Sequence, residues 1–171
     1  MDRHAIFLSG PIGTGKTTLG RGLAARLSGG FIDGDDFSDP AKPWYCSILQ
    51  TSRSIVHHAS MRLQGAGVVV VAYPLSCMNW IYFRRHFADI GVTPVFVSLH
   101  ASYAAITDDR RGRAFSTAEH DRIKAMIAEG YGNRSFSDLV IDTGKADFQA
   151  TLASLEQSVR SLMASSGPAN P

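Results

Sequence analysis

Apolar residues along this chain follow two alternating rhythms. Short continuous runs recur at Ala5–Leu8, Phe31-Ile32, Val68–Val71, Val95–Leu99 and Leu139–Ile141. Runs of this length, unbroken by polar residues, predict strands buried on both faces, as in parallel sheets. Between them the spacing changes to three and four. Leu19, Leu23 and Leu27 predict a helix over Thr17–Leu27, stopped by Gly29-Gly30. Ile48, Ile55 and Leu63 predict a longer one over Trp44–Gln64, ended by Gly65 and Gly67. Trp80–Phe87 and Ala101–Asp109 also read as helices, and Arg110–Phe115 as a polar loop. Ser116-Thr117-Ala118-Glu119 fits a capping box opening a helix with Ile123, Met126 and Ile127 on one face, ending at Gly130. Leu152, Leu155, Val159 and Leu162 predict a closing helix over Phe148–Leu162, followed by a tail expected to fray over 165–171. Strands alternating with helices predict an α/β protein. The expectation is a five-stranded parallel sheet with helices on both faces, three layers in all, forming one domain over 1–171.

Composition narrows the function classes. The chain has 171 residues, 44% hydrophobic and 19% charged, which excludes a disordered or collagen-like polypeptide. The net charge of +2 is too small to argue for a nucleic-acid partner. Two cysteines, Cys46 and Cys77, make neither a metal knuckle nor a disulfide framework and are read as buried thiols in a reducing compartment. No apolar run approaches the roughly 18 residues of a membrane span. Met1-Asp2-Arg3-His4 leads directly into the first apolar run, without the long apolar stretch of a secretory signal. The expectation is a cytoplasmic protein, monomer or homodimer, with no membrane partner.

The chemistry begins at Gly10-Pro11-Ile12-Gly13-Thr14-Gly15-Lys16-Thr17, a full match to G-x-x-x-x-G-K-[ST]. Its glycines let backbone N–H groups curl around phosphate oxygens, and the following helix aims its N-terminus at the same anion. Lys16 can reach the β- and γ-phosphates, and the Thr17 hydroxyl can ligate Mg²⁺. The expected nucleotide-binding set is Gly10, Ile12, Gly13, Thr14, Gly15, Lys16, Thr17 and Thr18. After the second predicted strand comes Asp33-Gly34-Asp35-Asp36, at the same carboxyl edge of the sheet. A carboxylate there can orient Mg²⁺ and accept a proton from an attacking hydroxyl. Asp35 is the first candidate and Asp33 the second. The bland alternative is an Asp-Gly turn, in which Asp36 caps a local bend.

With these residues in place, the chain resembles the small P-loop metabolite kinases. Shikimate kinases and gluconate kinases are nearest; adenylylsulfate kinases and antibiotic phosphotransferases lie further out. Phe31, Asp33 and Asp35 match a Phe-x-Asp-x-Asp pattern similar to shikimate kinase. Gly34-Asp35-Asp36-Phe37, Pro40, Pro43-Trp44 before a long helix, and Gly65-x-Gly67-Val68-Val69-Val70 are closer to gluconate kinase. Two stretches depart from the pattern. Ala72-Tyr73-Pro74-Leu75 stands where shikimate kinases carry a triple-glycine loop. Only Asp39–Lys42 fills the space where gluconate kinases carry an Asn- and Met-containing segment.

The resemblance implies ATP and Mg²⁺ as cofactors, with Thr17 and Asp35 at the metal. It also implies a lid over roughly 110–117 whose Arg110 or Arg113 reaches the phosphates, and an adenine pocket near Asp142-Thr143-Gly144. Asn133-Arg134 leads into the last predicted strand. Asp33, Asp35, Arg53 and Tyr73 are the candidate acceptor residues. Arg62 lies on the same helix as Arg53, and a cation there would suit an acidic acceptor. His57-His58 are adjacent on a helix and point about 100° apart, so they do not make a metal pair. Trp44 and Trp80 read as packing residues. The implied activity moves the γ-phosphoryl of ATP to a hydroxyl of a small polar metabolite, either shikimate-like or gluconate-like. The alternatives are an ATPase module without a small acceptor and a nucleoside or nucleic-acid-end kinase.

Overall fold

The structure, a computed structural model, describes residues 2–39 and 41–165. Five strands form one parallel sheet: β1 (Arg3–Ser9), β2 (Gly30–Asp33), β3 (Val68–Ala72), β4 (Val92–His100) and β5 (Leu139–Asp142). Their spatial order is β2-β3-β1-β4-β5. In register, Ile6 of β1 lies beside Val70 of β3 and Val95 of β4. Alternate residues of each strand feed opposite layers. Ala5, Phe7, Val69, Val71 and Phe96 pack against α2 (Trp44–Arg62) and α3 (Cys77–Asp89). Ile6, Leu8, Val68, Val70, Val95 and Val97 pack against α1 (Lys16–Arg26) and α6 (Phe148–Ser165). Phe7 centres the first layer, its ring 4.6 Å from Phe83 and 5.3 Å from Phe96. Trp80 stacks on Phe136 at 5.1 Å, a packing role; the side chain of Trp44 lies outside the described residues. Among the described residues no helix is long and apolar enough to cross a membrane.

The strand order fixes where a ligand can sit. The chain leaves β1 toward β2 on one side and leaves β3 toward β4 on the other. The crevice between the carboxyl ends of β1 and β3 is therefore the switch point of the sheet. The turn after β1 and the turn after β2 both open at this edge.

Local chemistry moved several boundaries. The helix expected over Ala101–Asp109 splits. α4 is only Tyr103–Ile106, started by the Ser102 side chain accepting from the Ala105 amide, and a 3-10 turn follows at Asp109–Arg111. Asp108 causes the break, because its carboxylate accepts from the Arg110 amide and caps the second turn. α3 starts at Cys77, three residues before the expected Trp80. Ser76 and Asn79 form a reciprocal capping box there. The expected box at Ser116 and Glu119 opens α5 (Thr117–Ala128). α6 continues to Ser165, one residue into the stretch expected to fray; 166–171 lie outside the described residues, as does Pro40 of the proline loop. Cys46 and Cys77 are exposed, not buried. Each sits in the first turn of a helix, off the face that packs on the sheet. His57 and His58 lie on α2, and no group of three metal-ligating residues occurs among the described residues.

One core residue carries an unmet polar demand. His4 is 3% exposed in β1, and neither ring nitrogen has a hydrogen-bond partner. Burial holds its imidazole below the usual 6.5, with Asp2 pulling in the opposite direction. A group held neutral in the fold and free to charge when unfolded costs stability as pH falls below its unfolded value. Stability is therefore expected to decline as pH drops below 6.5. His4→Leu should flatten that decline and raise stability at neutral pH by about 1 kcal/mol, the lower end of the cost of an orphaned buried polar group. Urea denaturation at several pH values measures both. A less stable variant with an unchanged acid limb contradicts this account.

Candidate nucleotide and phosphoryl-transfer site

The first helix begins without a side-chain cap. Gly15 is its N-cap residue, in the left-handed conformation at φ 93°, and offers no side-chain acceptor to the first turn. The leading N–H groups of a helix have no intrahelical partner, so an uncapped N-terminus is a ready anion site. Gly13 turns the loop at φ 81°, and a Cβ there would lie 2.6 Å from Ile106 and 2.9 Å from Phe115. Only glycine lets the segment after β4 pack this closely on the loop. Ile12 joins the small apolar cluster of Ala101, Ile106 and Ile123, so its side chain supports the loop and its backbone is left for binding. Thr14 behaves likewise. Its buried hydroxyl donates to the Pro11 oxygen at 2.9 Å, which makes it a shaper of the loop. Lys16 Nζ donates to the Gly10 and Pro11 oxygens at 2.9 and 2.8 Å. Burial lowers its ammonium to about 8, against the pull of Asp35 and Asp33, and nearby Arg113 lowers it further.

The acidic turn faces this loop. Thr17 Oγ1 donates to Asp33 Oδ2 at 2.8 Å, and the other Asp33 oxygen accepts from the Asp35 amide at 3.2 Å. The structure thus pairs the Thr17 hydroxyl with Asp33, where the sequence reading put Thr17 and Asp35 at the metal. A hydroxyl beside a carboxylate is a hard-oxygen donor set and suits Mg²⁺. Asp35 stands two residues further on, at the mouth of the crevice, with its carboxyl partly enclosed. Desolvation by the crevice walls raises its carboxyl above the usual carboxylate value. Asp33 and Asp36 add to this, and Lys16 opposes it.

Tyr73 supports the turn from below. A Cβ on Gly34 would lie 2.4 Å from the Tyr73 ring, so the 3-10 turn Gly34–Phe37 rests directly on that ring. The phenol is pushed up to about 12, first by burial and then by Asp35 and Tyr131. Asp35 thus acts electrostatically on the Tyr73 phenol.

Arg134, just before β5, places a cation on this side. Its Nε donates to the Leu75 oxygen at 3.2 Å and its Nη1 to the Glu129 oxygen at 2.8 Å. Its guanidinium lies 3.9 Å above the Tyr131 ring. Among the described residues it has no carboxylate partner. The sequence signal was an arginine between a helix end and a strand, which is common in loops and carries no spacing rule.

Arg53 and Arg62 do not join the site. Ser47, Thr51, Ser52, Ile55 and Ala59 mark the inward face of α2, and Arg53 falls almost opposite them, exposed. Arg62 packs over Gly30, at the far edge of the sheet.

Beside the loop lies a cleft of about 940 Å³, between the loop, the segment after β4 and the turn after β5. Thr18, Arg111, Phe115, Gly144 and Phe148 are among its walls. The arginines after α4 differ sharply. Arg110 is turned outward onto Asp108 at 2.6 Å. Arg113 pairs with Glu119 at 3.0 Å and covers the Phe115 ring. Arg113 also acts electrostatically on Lys16, which places it nearer the phosphate loop.

No known family's sequence model matches this chain, and no curated protein sequence does. Solved structures do. A gluconokinase from Sinorhizobium meliloti superposes with a TM-score of 0.69 at 18% identity, over 93% of this chain and 97% of its own. A shikimate kinase from Acinetobacter baumannii in complex with shikimate superposes with a TM-score of 0.60 at 17% identity, over 96% and 95%. An APS kinase from Mycobacterium tuberculosis gives a TM-score of 0.59 at 15% identity, over 95% and 98%. The chain has the three-layer fold of the small P-loop kinases.

Proposed function

We propose that this chain is a small-molecule kinase that transfers the γ-phosphoryl of ATP to a hydroxyl of a small polar, anionic metabolite. The observation that carries this is the convergence of Lys16, the Thr17–Asp33 pair and Asp35 at one sheet edge. The loop amides and Lys16 hold the β- and γ-phosphates. Thr17 and Asp33 are the residues to hold Mg²⁺, which neutralises phosphate charge when bound. Asp35 orients the acceptor hydroxyl and takes its proton. Its raised carboxyl is a better base than an ordinary surface aspartate. Arg113 exchanges Glu119 for the transferring phosphoryl group, where a guanidinium compensates developing charge. Arg134 favours an acceptor with a carboxylate or similar anion. The kinase neighbours support this reading at the level of fold.

The acidic residues have separable signatures. Asp35→Asn should lower phosphoryl transfer roughly a hundred- to ten-thousand-fold, the usual worth of general-base help. ATP affinity should hardly change. Asp33→Asn should instead raise the Mg²⁺ concentration needed for activity, with excess Mg²⁺ restoring part of the rate. Steady-state kinetics on a panel of sugar acids and cyclic polyol acids, with acceptor-free hydrolysis measured in parallel, distinguishes the two. Equal hydrolysis with and without every acceptor would leave an ATPase rather than a kinase.

Lys16 gives a pH test with a definite sign. Its ammonium must be charged to bind phosphate and is lowered to about 8 in the free protein. ATP affinity should hold below that pH and weaken above it, by up to about tenfold per pH unit. Binding above pH 8 should take up a proton, because the triphosphate restores the charge. Titration calorimetry in buffers of different ionisation enthalpy measures that uptake. Lys16→Ala should abolish it and lower transfer on the order of a hundredfold or more.

A further inference from the structure

Arg111 joins two parts of the cleft that no other side chain connects among the described hydrogen bonds. Its Nη1 donates to the Gly13 oxygen at 2.9 Å and its Nη2 to the Thr143 oxygen. Gly13 belongs to the phosphate loop and Thr143 to the turn after β5, two segments that both line the cleft and face each other across this one guanidinium. Both anchor points are themselves held. Gly13 is wedged against Ile106 and Phe115. The Thr143 amide donates to the His100 oxygen at 2.8 Å, and its hydroxyl donates to the same oxygen at 3.3 Å. Arg111 leaves from a short 3-10 turn that Asp108 caps and Gly112 closes. Its position is therefore fixed at both ends and at its root.

We propose that Arg111 is a positioning residue, a two-ended strut that sets the distance between the phosphate loop and the base-binding turn. The proposal rests on the reading of this cleft as a nucleotide site. A nucleotide gains full affinity from base and phosphates together only when both subsites stand at the right separation in advance. Arg111 differs in this from its neighbours. Arg110 and Arg113 pair with carboxylates, Asp108 and Glu119, which an incoming phosphate can replace. Both ends of Arg111 are committed to backbone carbonyls, and a phosphate offers no reason to leave them. A planar guanidinium can bridge two acceptors at fixed spacing, whereas an ammonium is a point charge on a flexible stem.

Arg111→Lys separates bridging from charge. Titration calorimetry compares ATP with inorganic tripolyphosphate, which has the phosphates and no base, on wild type and variant. In the wild type ATP should bind more tightly than tripolyphosphate. In Arg111→Lys, ATP affinity should fall roughly tenfold while tripolyphosphate affinity holds, because the charge stays and the spacing is lost. Arg111→Met should weaken both ligands and also lose the preference for ATP. Thermal melting checks that both variants are folded. A wild-type ratio of ATP to tripolyphosphate affinity in Arg111→Lys overturns the strut while leaving the nucleotide site intact. A wild type that binds neither ligand overturns the nucleotide reading and the strut with it.

Discussion

The organisation of this protein depends on keeping a helix N-terminus polar, uncapped and fixed in place. A first helical turn with unpaired N–H groups is costly to hold rigid unless something else secures the chain around it. Here β1 does so. It lies at the centre of the sheet with Ala5, Ile6, Phe7 and Leu8 fully buried, clamped by β3 and β4 on its two sides. Hydrophobic burial on both faces of one strand thus anchors the start of the loop. The side chains of Ile12 and Thr14 contribute the remainder by facing inward. The Lys16 ammonium is folded back onto the Gly10 and Pro11 oxygens of the same loop.

That ammonium and the acidic turn constrain each other. Burial drives Lys16 toward neutrality and Asp35 toward protonation, and each partly offsets the other's shift through its charge. The two aspartates of the turn sit in different surroundings. Asp33 accepts from the Thr17 hydroxyl and from the Asp35 amide. Asp35 lacks both and is raised. Two aspartates with one residue between them are thereby suited to different tasks by what each touches.

Much of the fold was legible because parallel strands and amphipathic helices have distinct apolar periods. Val68–Val71 and the Leu19, Leu23, Leu27 series fell close to their elements, β3 and α1. The phosphate loop was legible because each residue type in it answers a backbone or charge requirement. Boundaries set by side-chain caps were harder. Asp108 split one expected helix, and Asn79 completed a box that the Glu/Gln rule does not include. The pairing of Thr17 with Asp33 was not decidable from spacing, because both aspartates lie at the same strand end. Arg53 is near the acidic loop in sequence, and the fold exposes it on the face of α2 turned from the sheet. Arg111 stood in an arginine run where composition treats all members alike, and only the fold shows which one reaches two carbonyls.

The residues proposed for the acceptor follow a different logic from the phosphate loop. Its residues come from β3, from the turn after α5 and from the acidic turn, segments far apart in sequence with no shared motif. Their arrangement is set by contacts between them. Ser9 accepts from the Leu75 amide at 2.8 Å, and the Leu75 oxygen accepts from Arg134. Ser98 accepts from the Arg134 amide at 3.3 Å and bonds Ser137 at 2.6 Å. Small hydroxyls buried at the ends of β1 and β4 thus fix a loop and a guanidinium that no helix or strand holds directly. Tyr73 fills the space beneath the acidic turn as a bulky ring, and Gly34 is the complement that admits it. A larger residue at 34 would displace the carboxylates, and a smaller one at 73 would let the turn sink. The shape of the proposed acceptor region is therefore set by one aromatic–glycine contact and one backbone-anchored arginine, while the phosphate loop, held by the sheet, depends on neither.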